Sequence, residues 1–363
     1  MKIAIVTDWL NSKGGAEKVT QHIAEIYPEA DIYTSIYKAE NFPAFKNRKV
    51  YTSFINKLPF AHKLHFLYLF IMPYAFENMN FDDYDLVINS NWACSKGIIT
   101  NVNTKHIIYM HNPTRYIWDD CHKYLAQYNV PKFIKFLAKP FLSKLRNWDF
   151  VASQRNDGII CNSSAVQKRI KKYYHLEAKV INPAFEDRKI KIKEKKENYY
   201  LAGGRLIPYK QFELIVRAFN QNQKNLKIYG KGRLLEKLKK INTNPNTEFL
   251  GYVDNKTHQS LLENAKGFLF PQKDDFGIVA AESIQHGCPV IAYKKGGVVD
   301  IIKDKENGIF FDEQNVESLN RAIGKFEKMK FSSKEIAKSS QQFTKQEFQS
   351  KIKAYIDNLL DEA

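Results

Sequence analysis

At 363 residues and 42.3 kDa the chain exceeds what one hydrophobic core usually fills, so two domains are expected. With 44% hydrophobic and 26% charged residues, 12 prolines and 16 glycines, the composition excludes a small stapled module and a chain disordered throughout. The net charge of +17 is unevenly spread: residues 1–120 hold 12 bases and 12 acids, while residues 121–182 hold 12 bases against only Asp149, Asp157 and Glu177.

Residues 2–7 form a short run of the buried-strand kind, followed by Gly14-Gly15 and a helical pattern over 16–27. The run reaches Asp8 too soon for a secretory leader, so a cytoplasmic protein is expected. The stretch 64–76 is the most apolar, but it contains His65 and Pro73 and is shorter than the ~20 apolar residues a spanning helix needs. Further strands are expected at 31–35, 86–89, 106–110, 158–161 and 179–181, with helices between most of them. That alternation predicts a parallel sheet covered on both faces. Cys94, Cys121, Cys161 and Cys288 stand far apart with no Cys-x-x-Cys pair, which suggests neither a zinc site nor a disulfide framework.

Within the basic segment Lys132, Lys135, Lys139, Lys144 and Arg146 are interleaved with Phe133, Phe136, Leu137, Phe141, Leu142 and Trp148, largely at helical spacing. Such a helix can lie on an anionic bilayer, each lysine contributing about 1 kcal/mol, with the aromatic run 64–76 beside it. The plainer alternative is an apolar face turned to the core and a solvated row of lysines. No recognisable RNA- or DNA-binding motif accompanies the charge, so no nucleic-acid partner is expected.

Pro183 ends the first series, and the almost wholly charged residues 186–198 read as a solvated connector. The pattern then restarts, with strands at 199–202, 226–229, 247–250, 267–270, 290–292 and 308–311, and helices at 211–222, 234–240, 256–264 and 280–286. The expected domains are 1–185, a linker at 186–198, a second domain at 199–333, and a helix within 334–363 that crosses back to the first. The fold class is α/β, two doubly wound Rossmann-like domains facing across a cleft where ligands of such folds bind.

Gly14 and Gly15 sit between first strand and first helix, where backbone amides can approach an anion, or where they make only a tight turn. Arg205 and Lys210 flank the corresponding turn of the second domain, in Gly203-Gly204-Arg205-Leu206-Ile207-Pro208-Tyr209-Lys210. Fixed positive charges there oppose the charge that grows on a departing diphosphate, without a metal. The densest pattern is Phe270-Pro271-Gln272-Lys273-Asp274-Asp275-Phe276-Gly277, with Glu282 beyond it. Phe276-Gly277 puts amides at a helix start, and Glu282 can accept hydrogen bonds from vicinal ribose hydroxyls. Burying that carboxylate for packing alone would be costly.

Together the Gly14-Gly15-Ala16-Glu17 loop, Gly204-Arg205 with Lys210, and the Asp274-to-Glu282 spacing resemble the retaining family-4 glycosyltransferases of GT-B fold, over nearly the whole chain. The resemblance implies that Asp274 approaches the donor sugar hydroxyls, Glu282 holds the nucleotide ribose, Arg205 and Lys210 hold the diphosphate, and the Gly14-Gly15 loop approaches the phosphates and acceptor, with no metal or other cofactor. The family's first acid is glutamate, whereas Asp274 is one methylene shorter with Asp275 beside it. Either the loop comes closer or the sugar contact relies more on the Phe276 and Gly277 amides.

The string His111-Asn112-Pro113-Thr114-Arg115-Tyr116-Ile117-Trp118-Asp119 is similar to the His-x-Pro-x-Arg-x-x-Trp-Asp pattern of bacterial mannosyltransferases in O-antigen and capsule assembly. This implies that His111 contacts the transferred sugar or acceptor and that Arg115, Trp118 and Asp119 shape an acceptor pocket. The alternative is an Asn-Pro turn with a capping histidine. The expected activity is retaining transfer of mannose from GDP-mannose to a polyprenyl-diphosphate-linked glycan, by a protein peripheral on the inner face of a bacterial plasma membrane. Competing readings are a UDP-sugar transferase, a nucleotide-sugar epimerase, and a non-catalytic membrane binder, which has no use for Arg205, Lys210 and Glu282 converging.

Overall fold

Each expected apolar run forms a strand in the computed structural model, which describes residues 1–12, 14–119, 132–186 and 190–361, with the backbone alone for 132–139. Contacts divide the chain into two units, Met1–Asn182 with Gln349–Ala363, and Pro183–Phe348.

In the first unit the described strands are β1 (Ile3–Thr7), β2 (Asp31–Thr34), β3 (Val50–Thr52), β4 (Leu86–Asn91), β5 (Lys105–Met110), β6 (Gly158–Cys161) and β7 (Lys179–Val180), all parallel in the order β3-β2-β1-β4-β5-β6-β7. Ile5 lies between Ile32 and Ile88 in register, and all three are buried. That is why the central strands read as unbroken apolar runs. β3 escaped the sequence reading because it is a three-residue edge strand whose Tyr51 is exposed. Winding runs from β1 outward to β3, then returns to the other side of β1 with β4, so the sheet reverses direction between β1 and β4.

The second unit repeats the plan with β8 (Tyr200–Gly203), β9 (Leu226–Tyr229), β10 (Thr247–Gly251), β11 (Gly267–Phe270), β12 (Val290–Tyr293) and β13 (Gly308–Phe311), in the order β10-β9-β8-β11-β12-β13. Its reversal falls between β8 and β11. In open α/β sheets ligands bind at the carboxyl ends of strands where the order reverses, so topology alone singles out the loops after β1 and β4 in one unit and after β8 and β11 in the other.

The charged stretch is no free connector where it is described. Glu197 N donates to Asn264 O at 2.8 Å and Lys191 N to Glu263 Oε1 at 3.3 Å, so the segment is fastened to the helix Asn255–Asn264. Ser333 N and Lys334 N donate to the Glu194 carboxylate at 3.0 and 3.2 Å. These acids and amides close helix ends, as a carboxylate does at a helix N-terminus. The boundary thus falls at Asn182/Pro183. Residues 334–360 form two helices, Ser333–Ser339 and Lys345–Asp361, the second belonging from Gln349 onward to the first unit. There Gln349 Nε2 donates to His22 O at 3.0 Å, and a Cβ at Gly158 would come within 2.6 Å of Leu359.

Candidate functional site

At the β1/β4 reversal the chain places a carboxylate that sequence reading passed over. Asp8, fully buried, accepts four backbone amides: Trp92 N and Ala93 N on Oδ2 at 2.7 and 2.9 Å, Cys94 N and Ser95 N on Oδ1 at 2.6 and 2.7 Å. Burial pushes its carboxyl group above the ordinary aspartate range, and the amides pull it back. The loop after β4 is therefore pinned to the end of β1.

Behind it runs a second buried network. Lys96 Nζ lies 2.7 Å from Asp149 Oδ1, with both side chains sealed from solvent, and also donates to Ala93 O at 2.6 Å and Thr114 Oγ1 at 2.9 Å. Asp149 further accepts from Thr114 Oγ1, Trp118 Nε1 and Tyr174 OH at 2.6, 2.8 and 2.6 Å. Trp118 stacks on Tyr173 at 5.1 Å, and Asp119 pairs with Arg169 at 3.4 Å. These bonds use Trp118 and Asp119 to hold the 111–119 segment in shape, a duty different from lining an acceptor pocket; Arg115 is half-buried.

His111 directly follows β5, its amide bonded to Asn91 O at 2.8 Å and its carbonyl accepting from Asn162 Nδ2 at 2.9 Å. The ring lies against Trp92 and Tyr109, with Nε2 2.9 Å from Ser90 Oγ. Burial lowers its pKa to about 3, so the imidazole is neutral at physiological pH. Gly14 caps the helix Gly15–Ile26 in an extended conformation, and a Cβ there would meet Glu17 Oε2 at 2.6 Å. Gly15 has open space around it.

The second unit gathers most of the other expected residues at its own reversal. Gly203 ends β8 under the Tyr229 ring, so close that a Cβ would lie 2.0 Å from it, and Glu282 adds its charge to the burial that raises the Tyr229 pKa. Gly204 then takes φ +129, a conformation that favours glycine, and turns the chain into Arg205. Arg205 is exposed and makes no ion pair among the described residues. Lys210 Nζ lies 2.5 Å from Asp274 Oδ2, the two side chains 14% and 16% exposed. Asp274 thus faces a lysine in this structure. Gly277, at φ +105, caps the helix Ile278–Gln285, while the Phe276 ring is buried against Phe343. Glu282 is buried on the same helix.

Two glycine pairs missed from sequence hold these loops. Gly297 N donates to Asp274 O at 2.9 Å, and Cβ atoms at Gly296 and Gly297 would come within 2.4 and 2.2 Å of the carbonyl oxygens of Asp274 and Asp275. Gly230 packs likewise on Gly204 O, and Gly232 on Leu206 O, at 1.9 and 2.3 Å from an added Cβ. The signal was a Gly-rich turn after β9 and after β12, like the one noted after β1. Gly14, Gly15 and His111 stand in the first unit; Arg205, Lys210, Asp274, Phe276, Gly277 and Glu282 stand in the second.

Two parallel doubly wound sheets in tandem, each with a furnished reversal point, make this a GT-B fold. Residues 13–186 match the family described as Glycosyltransferase Family 4 and residues 184–346 the family described as Glycosyl transferases group 1, so that each unit is similar to a glycosyltransferase family. An uncharacterized glycosyltransferase of Haemophilus influenzae is 22% identical over 328 residues, covering 86% of this chain and 87% of that one. An uncharacterized glycosyltransferase of Methanocaldococcus jannaschii is 27% identical over 176 residues, 47% of this chain, and the match spans 50% of that relative's length. Among solved structures, Anabaena HepE in complex with UDP and glucose superposes with a TM-score of 0.68 at 17% identity, over 98% of this chain and 99% of that chain.

Proposed function

We propose that the protein transfers a hexose from a nucleoside-diphosphate sugar to a polyprenyl-diphosphate-linked glycan, with retention of anomeric configuration. The observation that carries this reading is the Lys210–Asp274 pair at the β8/β11 reversal together with the exposed Arg205 of the same β8 turn, which makes no ion pair among the described residues, cations of the kind a diphosphate draws. The acceptor hydroxyl attacks the anomeric carbon from the face the leaving group departs. The bond to the diphosphate oxygen breaks, and a diphosphate oxygen takes the acceptor proton. Arg205 and Lys210 stabilise the charge growing on the diphosphate, Glu282 holds the ribose, and Asp274 with the Phe276 and Gly277 amides orients the sugar. His111 contributes a neutral hydrogen-bonding group to the sugar or acceptor, and the Gly14-Gly15 turn brings amides to the phosphates and acceptor.

GDP-mannose is the donor that the 111–119 string favours; UDP bound to HepE favours a UDP-sugar as the second reading. Calorimetric titration with GDP, UDP and their mannose, glucose and N-acetylglucosamine conjugates decides between them. GDP-mannose is expected to bind at least about tenfold more tightly than UDP-glucose, a difference of roughly 1.4 kcal/mol. The reverse order installs the UDP reading, and no binding of any nucleotide sinks both.

A membrane surface is the proposed place of action. No helix among the described residues is long and apolar enough to cross a bilayer, but Phe60, Phe66, Leu67, Phe70 and Tyr74 are 71%, 43%, 51%, 56% and 62% exposed. Phe70 also meets the exposed Phe141 of the helix Lys132–Ser153 at 6.4 Å. Lys57, Lys63 and Lys144 are exposed on the same stretches, matching anionic head groups. Two members of the expected lipid-facing helix turn inward instead. Arg146 Nε donates to Ile117 O at 2.9 Å, and Trp148 Nε1 to Glu77 Oε1 at 2.8 Å. Lys132, Phe133, Lys135, Phe136, Leu137 and Lys139 lie outside the residues whose side chains are described. The double variant Phe66→Ser/Phe70→Ser is expected to lower sedimentation with phosphatidylserine vesicles at least about tenfold, by removing two aromatic anchors. Unchanged sedimentation would remove the membrane from this account.

A further inference from the structure

Three buried hydroxyls stand in a row behind His111, and nothing in the proposed chemistry uses them. Thr7 Oγ1 is 3.4 Å from Thr20 Oγ1, Thr20 Oγ1 is 2.9 Å from Ser90 Oγ, and Ser90 Oγ is 2.9 Å from His111 Nε2. Thr7, Thr20 and Ser90 are all at zero exposure, so each hydroxyl hydrogen needs a protein acceptor, because a buried unsatisfied one costs about 1–3 kcal/mol. Thr20 belongs to the helix that begins at Gly15, Ser90 to β4, and His111 directly follows β5. The row therefore ties the glycine turn, the loop after β4 and the imidazole into one unit of geometry.

Hydrogen bookkeeping gives the row a direction. The Thr20 hydroxyl has three acceptors in reach, Ser90 Oγ at 2.9 Å, Ala16 O at 3.2 Å and Thr7 Oγ1 at 3.4 Å, and the shortest contact takes its hydrogen. Ser90, already accepting from Thr20, has one remaining recipient for its own hydrogen, and that is His111 Nε2. A nitrogen that accepts carries no proton, so the single proton of a neutral ring sits on Nδ1. His111 Nδ1 has no hydrogen-bond partner among the described residues.

We propose that Thr20 and Ser90 are positioning residues that hold His111 as the Nδ1–H tautomer, so that the ring presents a hydrogen-bond donor to an oxygen of the sugar. The inference rests on the reading of His111 as a sugar-contacting group and adds which nitrogen makes the contact and what fixes it. Its neutral state follows from burial, which keeps the ring from protonating near neutral pH. A donor of this kind suits a hydroxyl or ring oxygen, and offers nothing to another hydrogen-bond donor.

Long-range proton–nitrogen NMR of the full chain labelled at histidine, assigned with His111→Ala, tests the tautomer without reference to turnover. The expected spectrum has a proton-bearing Nδ1 and a bare Nε2 at His111, and the opposite pattern overturns the proposal. Ser90→Ala is expected to shift both nitrogens toward a tautomer mixture and to lower kcat about tenfold with the donor KM changed less than about twofold. Ser90→Thr should restore both, and Thr20→Val, which keeps shape and removes the hydroxyl, should reproduce a smaller part of the shift. A wild-type His111 spectrum in Ser90→Ala together with a defective His111→Ala enzyme overturns the relay alone. Full turnover by His111→Ala overturns the sugar contact and with it the use of the relay.

Discussion

Replacing Lys96 with methionine is expected to destabilise the first unit by about 3–5 kcal/mol. Lys96 and Asp149 form an ion pair at 2.7 Å with side chains 0% and 1% exposed. Neither charge has water to fall back on when its partner is removed. The Asp149 carboxylate would keep three neutral donors, Thr114, Trp118 and Tyr174, which share a proton's attraction without supplying a counter-charge. Thr114 and the Ala93 carbonyl would lose their bond to the ammonium group, loosening the segment that leads to His111. Trp9, Trp92, Trp118 and Trp148 are the four tryptophans of the chain, and all lie in the first unit. Urea unfolding followed by tryptophan fluorescence therefore reads this unit selectively. Adding Asp149→Asn should recover part of the loss, because the stranded charge is then gone. A single-variant loss below about 1 kcal/mol would show that the pair is hydrated in solution.

Arg205→Ala is expected to lower kcat by about 10²–10³, with a modest change in donor KM. Arg205 makes no ion pair among the described residues, whereas Lys210 is already partnered by Asp274 at 2.5 Å. The uncommitted cation is the one able to answer charge that appears only as the sugar–diphosphate bond breaks, which is why the loss should fall on turnover. Glu282→Gln should divide the other way, raising donor KM more than it lowers kcat, since a ribose contact is present before and during the reaction. Steady-state kinetics at saturating acceptor separates the two patterns. An Arg205→Ala enzyme with wild-type kcat would end the assignment of the leaving-group role.

The sequence was most informative where chemistry is contiguous. Gly203 to Lys210 and Phe270 to Glu282 each occupy one strand, turn and helix, so a single reading frame places the residues at the same sheet edge, as found. Strand positions were legible for a similar reason, because a buried parallel strand needs an unbroken apolar run; β3, half-exposed at the edge, has none. Asp8, Lys96 and Asp149 were silent because their meaning comes from partners on other elements, Asp8 from the loop after β4 and Lys96 and Asp149 from each other, and a lone acid or lysine carries no periodicity. Ser90 and Thr20 are likewise ordinary until the fold sets them beside His111. The basic helix shows the converse limit. Helical spacing reports that one face is apolar, not what covers it, and Trp148 and Arg146 turned out to face protein.

Cys94 and Cys161 are buried in the first unit and Cys288 in the second, none of them in a disulfide among the described residues. Desolvation raises the Cys94 pKa and pushes that of Cys288 up to about 11, which keeps both thiols protonated and unreactive while folded. A thiol-alkylating reagent reaches them only as the surrounding structure opens. Peptide mapping of the alkylated positions then times the breathing of each half of the molecule separately, with no engineered label.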